Sequence, residues 1–172
     1  MSRGLKSPDS IRSELFGYLG SAELSPSYEE KYRDWVDAHE RSGLPPRSMI
    51  DPSWLGRLVS SSVVFQVEGD DLRHRICGET FLNRNGRFNP TGTTVGELAR
   101  TRPVARLLLP LYQRVIRDGV PALIGLRYLT VKQNLRNCDL LVLPFGSREP
   151  GEATVGHVLT IYNFLPVSDA TE

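Results

Sequence analysis

The residues able to do chemistry are few and scattered. Cys77 and Cys138 are the two cysteines, far apart and part of no CxxC or Cys/His cluster. A thiol nucleophile needs a lowered pKa and a positioned base. His74 stands three residues before Cys77, but strand alternation places the two on opposite faces, so both cysteines read as buried, inert thiols that pack as small hydrophobes. Their isolation also argues against a disulfide framework or a structural zinc site. His39, His74 and His157 lack metal-ligand spacing such as HxxxH, and each reads as a helix or strand residue satisfied locally. Serine is plentiful, but there is no GxSxG elbow and spacing suggests no Ser/His/Asp set. Arg73 and Arg75 share a strand face, and Arg127 shares another with Leu123, Gly125, Leu129 and Val131. Such arginines either hold an anionic ligand or reach solvent, and the second is the ordinary outcome. No catalytic residue and no metal site is expected, and the chain is not expected to be an enzyme.

Composition narrows the partners. Basic and acidic residues nearly cancel to a net charge of +1, which leaves no electrostatic footprint for nucleic acid. Met1 to Lys6 lead into no apolar h-region, and no apolar run approaches the ~20 residues that span a bilayer. A cytoplasmic location without membrane contact is expected. A chain of 172 residues is long enough for one domain with a terminal extension.

The elements that must position any site can be read in order. Residues 1–24 form a polar lead-in where Ile11, Leu15, Phe16 and Leu19 suggest a short helix. Ser25-Pro26 offers an N-cap and a first-turn proline, and Ser27 to Glu30 also fits a capping box. Tyr28, Tyr32, Trp35, Val36 and His39 then recur on one helical stripe, and Gly43 ends it. These bulky aromatics must be buried, either on the domain itself or against a second copy or partner, with Tyr28, Tyr32, Trp35 and Val36 as the contact. Pro45-Pro46 and Asp51-Pro52 mark a rigid connector. Alternating runs at 62–67 and 72–77 around Gly69-Asp70 form a hairpin, with Leu72, His74 and Ile76 on one side. Gly, Asn and Thr scattered over residues 78–102 suit short helices and loops. Val104, Leu107, Leu108, Leu111, Tyr112 and Val115 mark a longer helix that Pro110 kinks or begins. Strands are expected at 122–131, 139–145 and 153–164, the last long and β-branched enough to be central. The tail after Pro166 is expected to be loose.

Asn83-Arg84-Asn85-Gly86-Arg87-Phe88 resembles the GxNCRF signature of light-oxygen-voltage domains, the flavin-binding branch of the PAS family. Gly86 stands where the photoreactive cysteine would be, so adduct chemistry is impossible there. The turn Thr91-Gly92 also follows sooner than in that family, and flavin is disfavoured. Haem-binding PAS domains take an axial histidine from the helix before strand three. Residues 104–119 contain none, so haem is disfavoured too and the cofactor stays unknown.

From Leu44-Pro45 with Arg47-Ser48 and Ile50-Asp51-Pro52 onward, the sequence resembles a single-domain PAS family of alphaproteobacteria, the PAS type 5 family. Further marks are Trp35, the run Val63 to Val67, Arg75-Ile76-Cys77-Gly78, Thr91-Gly92, Tyr112 with Val115, Gly119 with Pro121, and Leu141-Val142-Leu143-Pro144. Where that family commonly has Gly-Arg-Asp before Thr-Gly, this chain has Gly86-Arg87-Phe88-Asn89-Pro90. The resemblance implies an α+β fold: a five-stranded antiparallel sheet in the order 2-1-5-4-3, covered by helices, with a flanking N-terminal helix. The corresponding division is an N-terminal helical extension at 1–43, a PAS-like domain at 44–166 and a tail at 167–172. It also implies a sensory or regulatory signalling role and transfers no catalytic residue. The expected ligand cavity lies between the sheet and the long helix, lined by Phe65, Ile76, Phe81, Leu108, Leu111, Tyr112, Arg127, Leu159 and Ile161. The alternative is a ligand-free adaptor acting through protein contacts or homodimerisation.

Overall fold

The computed structural model describes residues 25–130, 132–147 and 153–166. The short helix expected around Ile11 to Leu19 and the tail from residue 167 lie outside the described residues. A first helix, α1 (Pro26–Ser42), carries Pro26 in its first turn and stops at Gly43, whose φ of 80° suits a residue without Cβ. The helix starts before Ser27, which therefore sits inside it, and Ser25 is the N-cap residue.

The proline-rich connector is folded. Leu44 and Ile50 are buried, the Pro45 carbonyl accepts from the Gly146 N–H at 2.9 Å, and the Arg47 guanidinium donates to the Ile50 carbonyl at 3.1 Å. Asp51 caps α2 (Pro52–Leu55) by accepting from the Ser53 N–H. A 3-10 turn, Gly56–Ser61, then delivers the chain to the sheet.

Strands β1 (Ser62–Glu68) and β2 (Asp71–Cys77) form the expected hairpin. Two short helices, α3 (Glu79–Arg84) and α4 (Val95–Ala99), precede the longer α5 (Pro103–Asp118), which contains Pro110. Strands β3 (Ala122–Leu129), β4 (Leu135–Phe145) and β5 (His157–Leu165) complete the chain. All pairings are antiparallel, in the order β2-β1-β5-β4-β3, as expected. β4 begins before residue 139 because Leu135 to Asn137 pair with Arg127 to Leu129. β5 begins at His157 and β3 ends at Leu129, later and earlier than the composition suggests.

The central strand β5 is buried on both faces. Thr160 points to the side of α5, where its hydroxyl meets the Tyr112 hydroxyl at 2.6 Å. Alternation puts Val158 and Tyr162 on that inner face, and Leu159 and Ile161 on the outer face. The outer face is covered by α1, so the helix expected as an extension belongs to the same core as the sheet.

Two hydrogen bonds pin α1 where strands run out of neighbours. β1 pairs with β5 only as far as Ile161, and the Tyr28 hydroxyl donates to the Tyr162 carbonyl just beyond, at 2.6 Å. β3 pairs with β4 only as far as Val142, and the Trp35 indole N–H donates to the Pro144 carbonyl at 2.7 Å. Burial, helped by the Asp139 and Cys138 side chains, pushes the Tyr28 phenol up to about 12, so it keeps its donor proton. Tyr28, Tyr32 and Trp35 are 6%, 3% and 0% exposed. They are therefore not available as a dimer or partner contact, and Val36, partly buried, packs against the same core. The stripe was a correct reading of an apolar face, and the face it meets is the chain's own sheet.

Replacing Trp35 should thus read out as stability. Trp35→Phe keeps a ring but orphans a buried carbonyl, at a cost of about 1–3 kcal/mol. Trp35→Ala adds a cavity and should cost about 3–5 kcal/mol. Urea unfolding checks both, and midpoints equal to wild type would remove α1 from the core.

Candidate functional site

The inner face of the sheet and helices α3, α4 and α5 line a cavity of about 760 Å³ that is partly open to solvent, within the range of small-molecule sites. Its walls begin at β1 and β2. Phe65 and His74 sit opposite each other in the ladder, with ring centroids 4.6 Å apart, and Phe65 meets Tyr112 of α5 at 5.1 Å. The β2 chain has one more residue than β1 here: Val64 pairs with Ile76 and Phe65 with His74, leaving Arg75 as a bulge. The bulge flips the alternation. Ile76 turns to the outer side and is 52% exposed, so it does not line the cavity.

The short helices are held by specific local chemistry rather than by length. Gly78 opens α3 against the Ser60 carbonyl, where a Cβ would collide with backbone. Thr94 and Glu97 form a reciprocal capping box at the start of α4. Asp71 of β2 accepts from the Gly96 N–H at 2.9 Å, an approach that a side chain at Gly96 would block. The segment before α4 lies along the β2 edge, with the His74 N–H donating to the Thr93 carbonyl at 2.9 Å.

α3 contributes Phe81, which packs on Tyr162 with centroids 4.9 Å apart. Asn85 just after it accepts from the Tyr128 hydroxyl at 2.7 Å and donates to the Phe81 carbonyl at 2.8 Å. Gly86 and Arg87 then have φ of 71° and 62°, so the position compared with a photoreactive cysteine is left-handed backbone that favours glycine. Leu126 and Tyr128 come from β3 and Thr130 from just beyond its end, and Phe88, Leu98 and Arg102 line the side formed by α4 and the start of α5.

Of the nine expected liners, Phe65, Phe81, Leu108 and Tyr112 are brought together here, and Arg127 borders the space while remaining exposed. Leu159 and Ile161 are not liners, because β5 turns them toward α1. Leu111 is not a liner either, because the buried stripe of α5 runs through Ala105, Leu108, Tyr112 and Val115 and leaves Leu111 on its flank. Sequence reasoning missed Asn85, Phe88, Arg102, Tyr128 and Tyr162. The alternation Ile124, Leu126, Tyr128 along β3 was the available signal for Tyr128, opposite in parity to Arg127.

Polar chemistry in the cavity is sparse. His74 is 5% exposed, and its Nδ1 meets the Thr93 carbonyl oxygen at 2.8 Å. A carbonyl only accepts, so Nδ1 holds the proton of the neutral ring. Burial lowers the His74 pKa below the ordinary histidine value, opposed by the Thr93 bond and by Asp71. Burial raises both the Cys77 and Cys138 thiols, which disfavours the thiolate that a nucleophile needs. Arg73 reaches Glu68 through both carboxylate oxygens, at 2.7 and 2.9 Å, and Arg75 donates to Gln66. Both are engaged at the surface, away from the cavity.

No protein-family model matches the chain, and no curated protein matches it in sequence. Among solved structures, a light-oxygen-voltage domain studied with a flavin analogue is similar at a TM-score of 0.52 and 12% identity, covering 69% of this chain and 88% of its own. A light-oxygen-voltage protein of Rhodobacter sphaeroides follows at 0.49 and 14%, covering 82% and 70%, a score too low to add weight. The first likeness, with the strand order, shows a PAS-type fold and nothing further.

The depressed His74 pKa makes stability depend on pH with a definite sign. At pH values above about 6.5, the ordinary histidine pKa, both states hold a neutral ring and the folded state is at its full advantage. As pH falls below that value the unfolded chain takes a proton that the folded chain resists, so stability drops until the lower folded pKa is reached. His74→Gln, which keeps a donor for Thr93, should remove this part of the slope. Urea midpoints for both chains between about pH 8 and pH 5 check it, and parallel curves would refute the assignment.

Proposed function

We propose that the chain is a PAS-type sensory or regulatory domain that binds a small molecule in the cavity and performs no reaction on it. The observation that carries this reading is the cavity itself: about 760 Å³ between sheet and helices, walled mainly by Phe65, Phe81, Leu98, Leu108, Leu126 and Tyr162. A concave, mostly apolar space of this size between packed elements is the usual form of a small-molecule site. The resemblance to single-domain alphaproteobacterial PAS proteins supports the same role through the connector, where Leu44, Pro45, Arg47, Ile50 and Asp51 all make the contacts described above.

Occupancy would act by population shift. α3 and α4 contribute six and five residues, too short to be stable alone, and they hold their place over the cavity by packing on the neighbouring elements. A ligand touching them changes their position only by its differential affinity for the two arrangements. The adaptor alternative loses its surface on α1, where the aromatic residues are spent on the sheet.

Native mass spectrometry of the protein purified from its own host tests the reading directly. Added mass of a small organic molecule should accompany the wild-type chain and be absent from Ala105→Trp, which fills the cavity from α5. A chain that carries no added mass and shows no change in its spectra with a small-molecule library would overturn it.

A further inference from the structure

The cavity carries positive charge without a matching acid. Arg102, half-buried at the N-cap position of α5, lies in its wall. No Asp or Glu is among the described residues that line the space, and no ion pair among the described residues includes Arg102. Its Nε is buried and has no hydrogen-bond partner. The guanidinium lies over the Phe88 ring, Cζ 3.9 Å from the centroid. That contact occupies the face of the group, whereas its N–H donors lie in its plane, and the buried Nε–H still needs an acceptor. Buried donors on a charged group are costly to leave unmade.

Two further features converge on this wall. Pro103, Val104 and Ala105 of the first turn of α5 also line it. The first-turn N–H groups of Val104 and Ala105 have no acceptor within the helix and add positive potential on the same side. His74, across the cavity, holds its Nδ1 on the Thr93 carbonyl and is kept neutral by burial, so it supplies no compensating charge.

We infer that the ligand of this cavity is an organic anion, an apolar or aromatic body ending in a carboxylate, sulfonate or phosphate, with Arg102 as its anchor. The inference rests on the ligand-binding reading above and adds the charge of the ligand and the residue that reads it. The body lies among Phe81, Leu98, Leu108 and Leu126, and the anion accepts in the guanidinium plane from the Nε–H that has no other acceptor.

A matched pair of fluorescent probes separates charge from apolar burial: 8-anilinonaphthalene-1-sulfonate and its uncharged parent N-phenyl-1-naphthylamine. Wild-type protein should bind the sulfonate about ten- to a hundred-fold more tightly than the neutral dye, the scale of a charge-assisted hydrogen bond. Arg102→Met should bring the sulfonate down to the neutral dye while leaving the neutral dye unchanged, which also shows that the variant is folded. Arg102→Lys should restore part of the preference, and Arg114→Met, on the solvent side of α5, should keep all of it. Equal binding of the two dyes by wild type, or a preference that survives Arg102→Met, overturns the anion assignment and leaves a cavity for neutral ligands. Binding of neither dye, or binding that persists in Ala105→Trp, overturns the cavity reading and this inference together.

Discussion

Strand β5 has to be roofed on both faces. It is the middle strand, paired with β1 on one side and β4 on the other, and its alternate residues are all large and buried: Val158, Thr160 and Tyr162 inward, Leu159 and Ile161 outward. A sheet left open on either side would expose one of these rows to water, at a cost on the order of 25 cal/mol per Å² of apolar surface. Two layers of helix follow from that single strand. One is long, continuous and tied to the ragged strand ends through Tyr28 and Trp35. The other combines the long helix α5 with the short α3 and α4, and the space lies under it.

The difference between the two roofs is physical. α1 presents an uninterrupted aromatic stripe that interdigitates with the outer face, and its polar atoms satisfy carbonyls that the ladder cannot reach. The inner roof joins α5 to α3 and α4, helices of one or two turns that hold position through the Thr94–Glu97 box, the Asp71 bond to Gly96 and the close approach at Gly78. Such elements bury little apolar surface of their own and belong to the low-stability end of a fold.

Polar groups inside follow the same economy. Tyr112 satisfies Thr160, Tyr128 satisfies Asn85, and His74 satisfies Thr93, so each buried pair is closed. Arg102 in the cavity wall differs, stacked on Phe88 with its buried Nε–H lacking an acceptor. One unsatisfied charged group in a wall of otherwise closed pairs is the most specific chemical statement the cavity makes.

Sequence alone determined the kinds and order of elements, because their signals are local. Period-two alternation, the Pro26 and Asp51-Pro52 starts, the Gly43 and Gly119 stops and the stripes of α1 and α5 all act within a turn or a hairpin. Strand order was legible through family resemblance, and Phe65, Phe81, Leu108 and Tyr112 were legible as inward residues of those elements. What only the tertiary structure decided is which way each row faces. The bulge at Arg75 sends Ile76 outward, the pairing of β5 turns Leu159 and Ile161 toward α1, and the ends of β1 and β3 choose the places where Tyr28 and Trp35 dock. Alternation says that two rows differ but not which one meets which helix, since that depends on pairing between residues a hundred positions apart. Arg102 became informative for the same reason: its neighbours in space, and the missing acid among them, are set by the packing of α5 against β3 and the loop that carries Phe88.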